Sequence, residues 1–305
     1  MTTRYSQKQL LERFGATVRC DEPMSRHTSL KVGGTADIYA IPKSLDGLET
    51  LICYCREHGI EYMIAGGGTN LLVKDSGFRG MIIVLTHCLN QLVRDGMRIR
   101  AMAGVKTAAL CRFAIKNSLK GMNFALGIPG TVGGAICMNA GTAAGAMGDR
   151  LESLTVLLSS GERQILKHQD LDISYRKLSW QNKQFGKDVL ILEGSFISEP
   201  ADAKMLEEEA REILNRRHQS QPTRFPSAGC FFKNPDGASA GQLIDLAGFK
   251  GKYMGGAQVS EKHANFIINR GSASADDILA LAKMIQEKVH HKFDVMLEPE
   301  VKIVG

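Results

Sequence analysis

No stretch of this sequence is apolar for long enough to cross a bilayer. Its amino terminus, Met1-Thr-Thr-Arg-Tyr-Ser-Gln7, lacks the ordered charged, apolar and small-residue regions of a secretory signal. The expectation is a cytoplasmic protein with no membrane partner. Disulfide spacing is missing as well: seven cysteines lie at irregular intervals, and Cys53-x-Cys55 is too close for a zinc knuckle. Reduced thiols and no metal centre are expected. The densest basic patch, Arg216-Arg217-His218, carries no interleaved aromatics, which argues against a nucleic-acid surface. The 38 Lys and Arg against 32 Asp and Glu leave a net charge of +6. That excess fits an anionic small ligand, although a pI near 8.9 keeps an RNA-associated protein open on composition alone. Repeats and low-complexity tracts are also absent.

The common nucleotide fingerprints are missing too. A Rossmann site needs Gly-x-Gly-x-x-Gly opening into a helix, with an acidic residue about twenty positions on. Gly127, Gly130 and Gly133 are instead spaced three apart, and no Gly-x-x-x-x-Gly-Lys-Ser/Thr run supplies a P-loop. What the chain does have is the run Leu126-Gly-Ile-Pro-Gly-Thr-Val-Gly-Gly-Ala-Ile-Cys-Met-Asn-Ala-Gly141, in which five of sixteen residues are glycine and none is acidic. A second run, Ala65-Gly-Gly-Gly-Thr-Asn70, precedes it. Each alone reads equally as a tight turn between strands. Together, each beside an apolar strand, they suit a backbone cradle for a pyrophosphate, because turn amides form concave anion sites.

Around these runs the periodicities alternate. A length of 305 residues suits about two domains. Helical spacing of apolar residues predicts helices over 5–14, 44–58 and 107–119, with Gly59 placed as a C-terminal cap. Two strands around Gly33-Gly34 are expected within 29–42, then strands over 61–65, 81–85, 98–103, 153–158 and 189–197. Composition shifts at Glu199-Pro200. A highly charged helix follows over 202–219, then a strand at 230–233 and a helix at 240–247. Beyond come a strand at 263–269, a helix opened by Ser274-x-x-Asp277, and a last strand at 299–304. Strands with occasional helices give α+β rather than a strict βαβ series.

Three polar residues stand out, each with an ordinary structural alternative. Arg176 follows a predicted strand and turn, where arginines are usually solvated. Cys230 precedes Phe231-Phe232, where a thiol usually fills core space. Glu300 opens the last strand, where carboxylates are commonly exposed.

The motifs read jointly say more. Ile64-Ala-Gly-Gly-Gly-Thr-Asn-Leu-Leu-Val, Leu126-Gly-Ile-Pro-Gly-Thr-Val-Gly-Gly-Ala with Asn139-Ala-Gly141, Ser174-Tyr-Arg176, Ser227-Ala-Gly-Cys-Phe-Phe-Lys-Asn-Pro235 and Leu297-Glu-Pro-Glu-Val301 occur in one order. In that order the chain closely resembles the UDP-N-acetylenolpyruvoylglucosamine reductases, flavoenzymes of peptidoglycan precursor synthesis. The short interval from Arg176 to Cys230 looks like the subtype without an added substrate-capping loop. The resemblance implies an FAD-binding part of the vanillyl-alcohol-oxidase/p-cresol-methylhydroxylase type over 1–199, with its core at about 30–198, and a smaller α+β substrate domain over 200–305. It implies non-covalent FAD, NADPH as co-substrate and a UDP-sugar substrate. FAD contacts are implied at Gly66, Gly67, Gly68, Thr69, Asn70, Leu71, Gly127, Ile128, Pro129, Gly130, Gly133, Gly134, Asn139, Gly141 and Tyr175. Arg176 matches the arginine that stabilises the substrate enolate, and Glu300 the glutamate beside it, whose pKa is expected to be raised. Cys230 stands where the family usually carries the serine that delivers the final proton. Lys233 and Asn234 are implied as substrate contacts.

Overall fold

The computed structural model describes residues 7–181 and 189–305. Strands and helices mix without a strict βαβ alternation, so the α+β expectation holds. The chain forms two compact units, and three of their five boundaries fall inside the strands Val18–Pro23, Thr35–Ala40 and Phe78–Val84.

The first unit takes the described residues of Met1–Arg19, Tyr39–Gly67 and Met81–Arg216. It opens with α1 (Gln7–Phe14); residues 5 and 6 of the helix expected there lie outside the described residues. α2 (Leu45–Glu57) starts where the Ser44 side chain accepts from the Gly47 N–H, and it buries Leu48, Leu51, Ile52 and Cys55 on one face. Gly59, at φ +61°, ends it: the Ile60 N–H bonds to Cys55 O and the Gly59 N–H to Arg56 O. This is the two-bond closure that a left-handed glycine permits. The strand Tyr62–Ala65 then pairs in parallel with Met81 to Val84. A five-stranded antiparallel sheet runs in the order Arg163–Lys167, Leu151–Leu157, Leu190–Ile197, Arg98–Met102, Leu92–Asp95. α3 (Thr107–Lys116) and α4 (Val132–Cys137) follow in this unit, and α5 (Ala203–Ser220) leads out of it. α3 ends three residues before the sequence pattern suggests. Ser118 takes φ +55°, and Leu119 and Lys120 pair with Pro200 and Glu199 instead of continuing the helix.

The second unit gathers Cys20–Ile38, Gly68–Gly80 and Arg217–Gly305. Its core packs Leu72, Phe231, Phe232, Ile267 and Leu297 with the buried faces of α6 (Ala240–Leu246) and α7 (Ala275–Phe293). A three-stranded antiparallel sheet joins Tyr253–Met254, Ala257–Val259 and Ile267–Asn269. The terminal strand Lys302–Val304 pairs in parallel with Leu71–Val73. Four expected strands shrink or vanish here, the last of them starting at Lys302, so that Glu300 precedes it rather than opening it. Residues 29–32 turn instead of extending: the Thr28 hydroxyl donates to Val32 O at 2.9 Å, and Lys31 sits at φ +57°. Residues 230–233 join no ladder and make one isolated bridge, Phe232 to Pro299. Residues 262 and 263 fold over the Ser260 hydroxyl, so the strand starts at Ile267.

α7 has every first-turn donor satisfied. The Ser274 side chain accepts from the Asp277 N–H, while Asp75 takes the N–H groups of Ala275 and Asp276, both at 3.0 Å. Asp75→Ala removes both acceptors and a negative charge from the helix start. It is expected to cost about 1 kcal/mol, the ordinary size of a lost cap at an exposed site. Urea midpoints at pH 7 check this; an unchanged midpoint would mean that water serves these donors equally well.

Candidate active site

In the first unit the two glycine runs touch. The strand Tyr62–Ala65 delivers Gly66, and a methyl group placed there would overlap the Thr131 hydroxyl of the second run. Thr131 is buried and caps α4, its Oγ1 accepting from the Gly134 N–H at 3.4 Å. The second run is pinned from behind. Val132 N–H donates to Val105 O and Gly133 N–H to Ala103 O, both at 2.8 Å, while Thr107 holds Gly130 O through its amide and its hydroxyl. Gly127 at φ +75° and Gly130 at φ +115° take backbone shapes that a side chain would strain. Gly67, Gly127, Pro129 and Gly134 are exposed, Gly133 is buried, and Ile128 is half-buried.

The same unit clamps the arginine. Strands Leu171–Ser174 and Lys177–Trp180 form a hairpin that closes at Ser174 and Lys177, leaving Tyr175 and Arg176 as its two-residue loop. Asn139, buried and at φ +39°, donates to Ser174 O at 2.9 Å and accepts from the Gly148 N–H at 2.8 Å. An Arg176 Nη2–H donates to Gly141 O at 3.3 Å, and the guanidinium carbon lies 4.9 Å from the Tyr175 ring centre. Arg176 itself takes φ +55°. A non-glycine residue there costs on the order of 1 kcal/mol, and such strain concentrates where a side chain must point in a set direction. Asn139, Gly141, Tyr175 and Arg176 are thus brought together.

The second unit assembles another group. Gly68, at φ +62°, lies against the His27 carbonyl and accepts from the Ser29 N–H, while the Ser29 hydroxyl donates to Thr69 O at 3.2 Å. Asn70 donates from Nδ2 to Glu300 O at 3.0 Å, and Lys302 N–H returns to Asn70 O; Leu71 then starts the parallel pair. Glu300 N–H donates to Phe231 O at 2.8 Å, so Glu300 is tied to the residue directly after Cys230. Cys230 and Glu300 are both half-buried. Lys233 pairs with Glu298 at 3.0 Å, and the Asn234 side chain accepts from the Ala240 N–H at the start of α6. Asn70, Phe231 and Glu300 are therefore joined by hydrogen bonds, with Cys230 next in sequence to Phe231 and Lys233 bonded to Glu298, while the Asn234 oxygen is engaged in capping.

Comparison with known proteins places this architecture. The UDP-N-acetylenolpyruvoylglucosamine reductase of Desulfosudis oleivorans is 47% identical over 300 residues, covering 96% of both chains. This chain belongs to the UDP-N-acetylenolpyruvoylglucosamine reductase family. The corresponding protein of Geobacter metallireducens is 45% identical over 93% of each chain. The solved UDP-N-acetylenolpyruvylglucosamine reductase of Thermus caldophilus is 32% identical and superposes with a TM-score of 0.77, covering 93% of this chain and 97% of that one. Two family models match: an FAD binding domain over residues 36–167, and the C-terminal domain of UDP-N-acetylenolpyruvoylglucosamine reductase over 221–304.

Sequence reasoning passed over two residues beside the Cys230 segment. Arg217 reads as part of a solvated charged helix, yet it is half-buried. Burial pulls its guanidinium below the ordinary value, and the neighbouring Cys230 opposes that shift. Asn265 reads as one polar position in an apolar segment, His263-Ala-Asn-Phe-Ile-Ile268. Its signal was the buried amide itself, since a polar side chain among core residues must find partners.

Proposed function

We propose that this chain reduces the enolpyruvyl group of UDP-N-acetylglucosamine enolpyruvate to UDP-N-acetylmuramate with electrons from NADPH, a cytoplasmic step of peptidoglycan precursor synthesis. The reading rests on near-full-length identity to reductases of that name and on one structural observation. The hydrogen bond from Glu300 N–H to Phe231 O ties the carboxylate-bearing residue to the residue that follows the thiol.

The residues present fit FAD. Both glycine runs offer backbone without charged side chains, and no acidic group lies between Leu126 and Gly141 to repel a pyrophosphate. Gly66 to Leu71, Gly127 to Gly130, Gly133, Gly134, Asn139, Gly141 and Tyr175 would hold the cofactor without a covalent bond. When bound, FAD supplies the two-electron relay between NADPH and the enolpyruvyl double bond. Hydride addition leaves negative charge on the substrate carboxylate and the adjacent carbon. The Arg176 guanidinium offers that charge two parallel N–H donors, and Glu300, in its protonated form, offers a third. Cys230 gives the final proton to carbon. A thiol is a far stronger acid than the hydroxyl of the usual serine. Lys233 and Asn234 contact the UDP-sugar. The division into an FAD part over 1–199 and a sugar part over 200–305 belongs to this reading.

Anaerobic mixing tests the reading directly. NADPH is expected to bleach the flavin absorbance, and the enolpyruvyl sugar, added next, to restore it. Bleaching without recovery would exclude this substrate. The cradle has its own test. Gly66→Ala displaces the Thr131 cap, and Gly130→Val forces a β-branched residue to φ +115°. Both variants are expected to fold yet retain well under half of the wild-type FAD per chain after desalting. Full FAD occupancy in both would move the cofactor site away from these runs.

A further inference from the structure

The backbone of the Cys230 segment is unusual in owing two of the four hydrogen bonds of Phe231 and Phe232 to one side chain. Phe231 and Phe232 lie in no ladder, so their four backbone polar groups must find partners elsewhere. Phe231 N–H donates to Asn265 O at 2.7 Å. Phe232 N–H donates to Asn265 Oδ1 at 2.9 Å, and Asn265 Nδ2 donates to Phe232 O at 2.8 Å. The fourth group, Phe231 O, accepts from Glu300 N–H at 2.8 Å. Asn265 is 2% exposed, and both rings beside it are fully buried. A buried carboxamide thus plays the part of a missing strand. It clamps the two residues after Cys230 on one side, while the segment carrying Glu300 lies on the other.

We propose that Asn265 is a positioning residue for the reaction: it sets where Cys230 and Glu300 point, and so the rate of proton delivery, without touching substrate. This rests on the reading of Cys230 as proton donor. The clamp is specific to an amide. Aspartate at this position keeps the acceptor for Phe232 N–H but turns a second oxygen toward Phe232 O, so attraction becomes repulsion. Alanine leaves both groups of Phe232 without that partner. Serine, too short to reach both, serves as a milder disruption. The segment then rests on its Phe231 and Lys233 bonds alone. Proton transfer falls steeply when donor and acceptor are misplaced, by about 10²-fold for an ångström.

The test uses full-length, FAD-loaded protein carrying Asn265→Asp, with Asn265→Ser as the second variant should the aspartate fail to fold. Stopped-flow traces separate the half-reactions. Flavin reduction by NADPH is expected at the wild-type rate. Reoxidation by the enolpyruvyl sugar is expected to slow about 10–100-fold, with little change in the Michaelis constant. A second readout needs no turnover. Iodoacetamide alkylation, followed peptide by peptide, is expected to change in rate several-fold at Cys230. Exposed Cys53 should react as in wild type, and buried Cys55 and Cys111 should stay protected. Wild-type alkylation at Cys230 together with wild-type reoxidation would overturn the proposal. So would an equal loss in both half-reactions with Cys55 and Cys111 newly reactive, which marks a merely structural residue. If even wild type fails to reoxidise with the sugar, the functional reading falls, while altered Cys230 alkylation in the variants still reports the clamp.

Discussion

Arg176→Lys is expected to lower turnover by about 10²–10³-fold, the size of losing one organised donor to a developing anion, with a much smaller rise in the Michaelis constant for the enolpyruvyl sugar. The reason lies in what the loop already spends on this residue. Arg176 holds φ +55° in a two-residue hairpin loop, braced by Asn139 through Ser174 O and bonded to Gly141 O. Lysine would inherit the same backbone strain and charge, so folding should change little. It would lose the planar fork, and with it the ability to hold a carboxylate and its enolate at two points. Losing an interaction that strengthens as charge develops reduces turnover rather than ground-state affinity. Steady-state kinetics on Arg176→Lys separate the two. A change confined to the Michaelis constant would make Arg176 a uniform binding residue.

How much of this was legible beforehand depends on whether a signal was local. Helix α2 could be read whole, since Leu48, Leu51, Ile52 and Cys55 carry the period and Gly59 carries the stop. The glycine runs were legible as runs, because composition marks them. Their contact at Gly66 and Thr131 was not, because nothing local relates residues 66 and 131. Short strands were read too long where a side chain offers the backbone another partner, as Thr28 does for Val32 and Ser260 for His263. α4 was missed, since glycines at 133 and 134 hide a helix whose start is defined by the Thr131 cap. A reading in chain order also cannot register that Lys302–Val304 pairs with Leu71–Val73. Arg176, Cys230 and Glu300 took their roles from resemblance rather than from their own spacing. The Asn265 clamp followed only from coordinates.

Cys230→Ala should leave flavin reduction by NADPH almost untouched and slow reoxidation by the enolpyruvyl sugar by about 10²–10⁴-fold, the usual size of a general-acid term. The fold gives this substitution an unusually clean background. The residue before it is Gly229, at φ +81° with open space around its Cα, and the two residues after it are held by Asn265 and Glu300 through backbone groups that alanine leaves in place. Removing the sulfur from a half-buried site therefore costs at most about 1 kcal/mol of packing, too little to explain a hundredfold change in one half-reaction alone. Cys230→Ser restores a hydroxyl of nearly the same volume and is expected to recover much of the lost rate. The two donors differ in how they respond to pH. The thiol is competent only while protonated, so the wild-type reoxidation rate falls as pH rises through the thiol's titration. Serine does not ionise in that range, and its variant should show no such limb. Single-turnover traces of wild type, alanine and serine across a pH series separate all three behaviours. Reoxidation of Cys230→Ala at the wild-type rate would reduce Cys230 to a packing residue beside Phe231, and the proton would have to come from elsewhere.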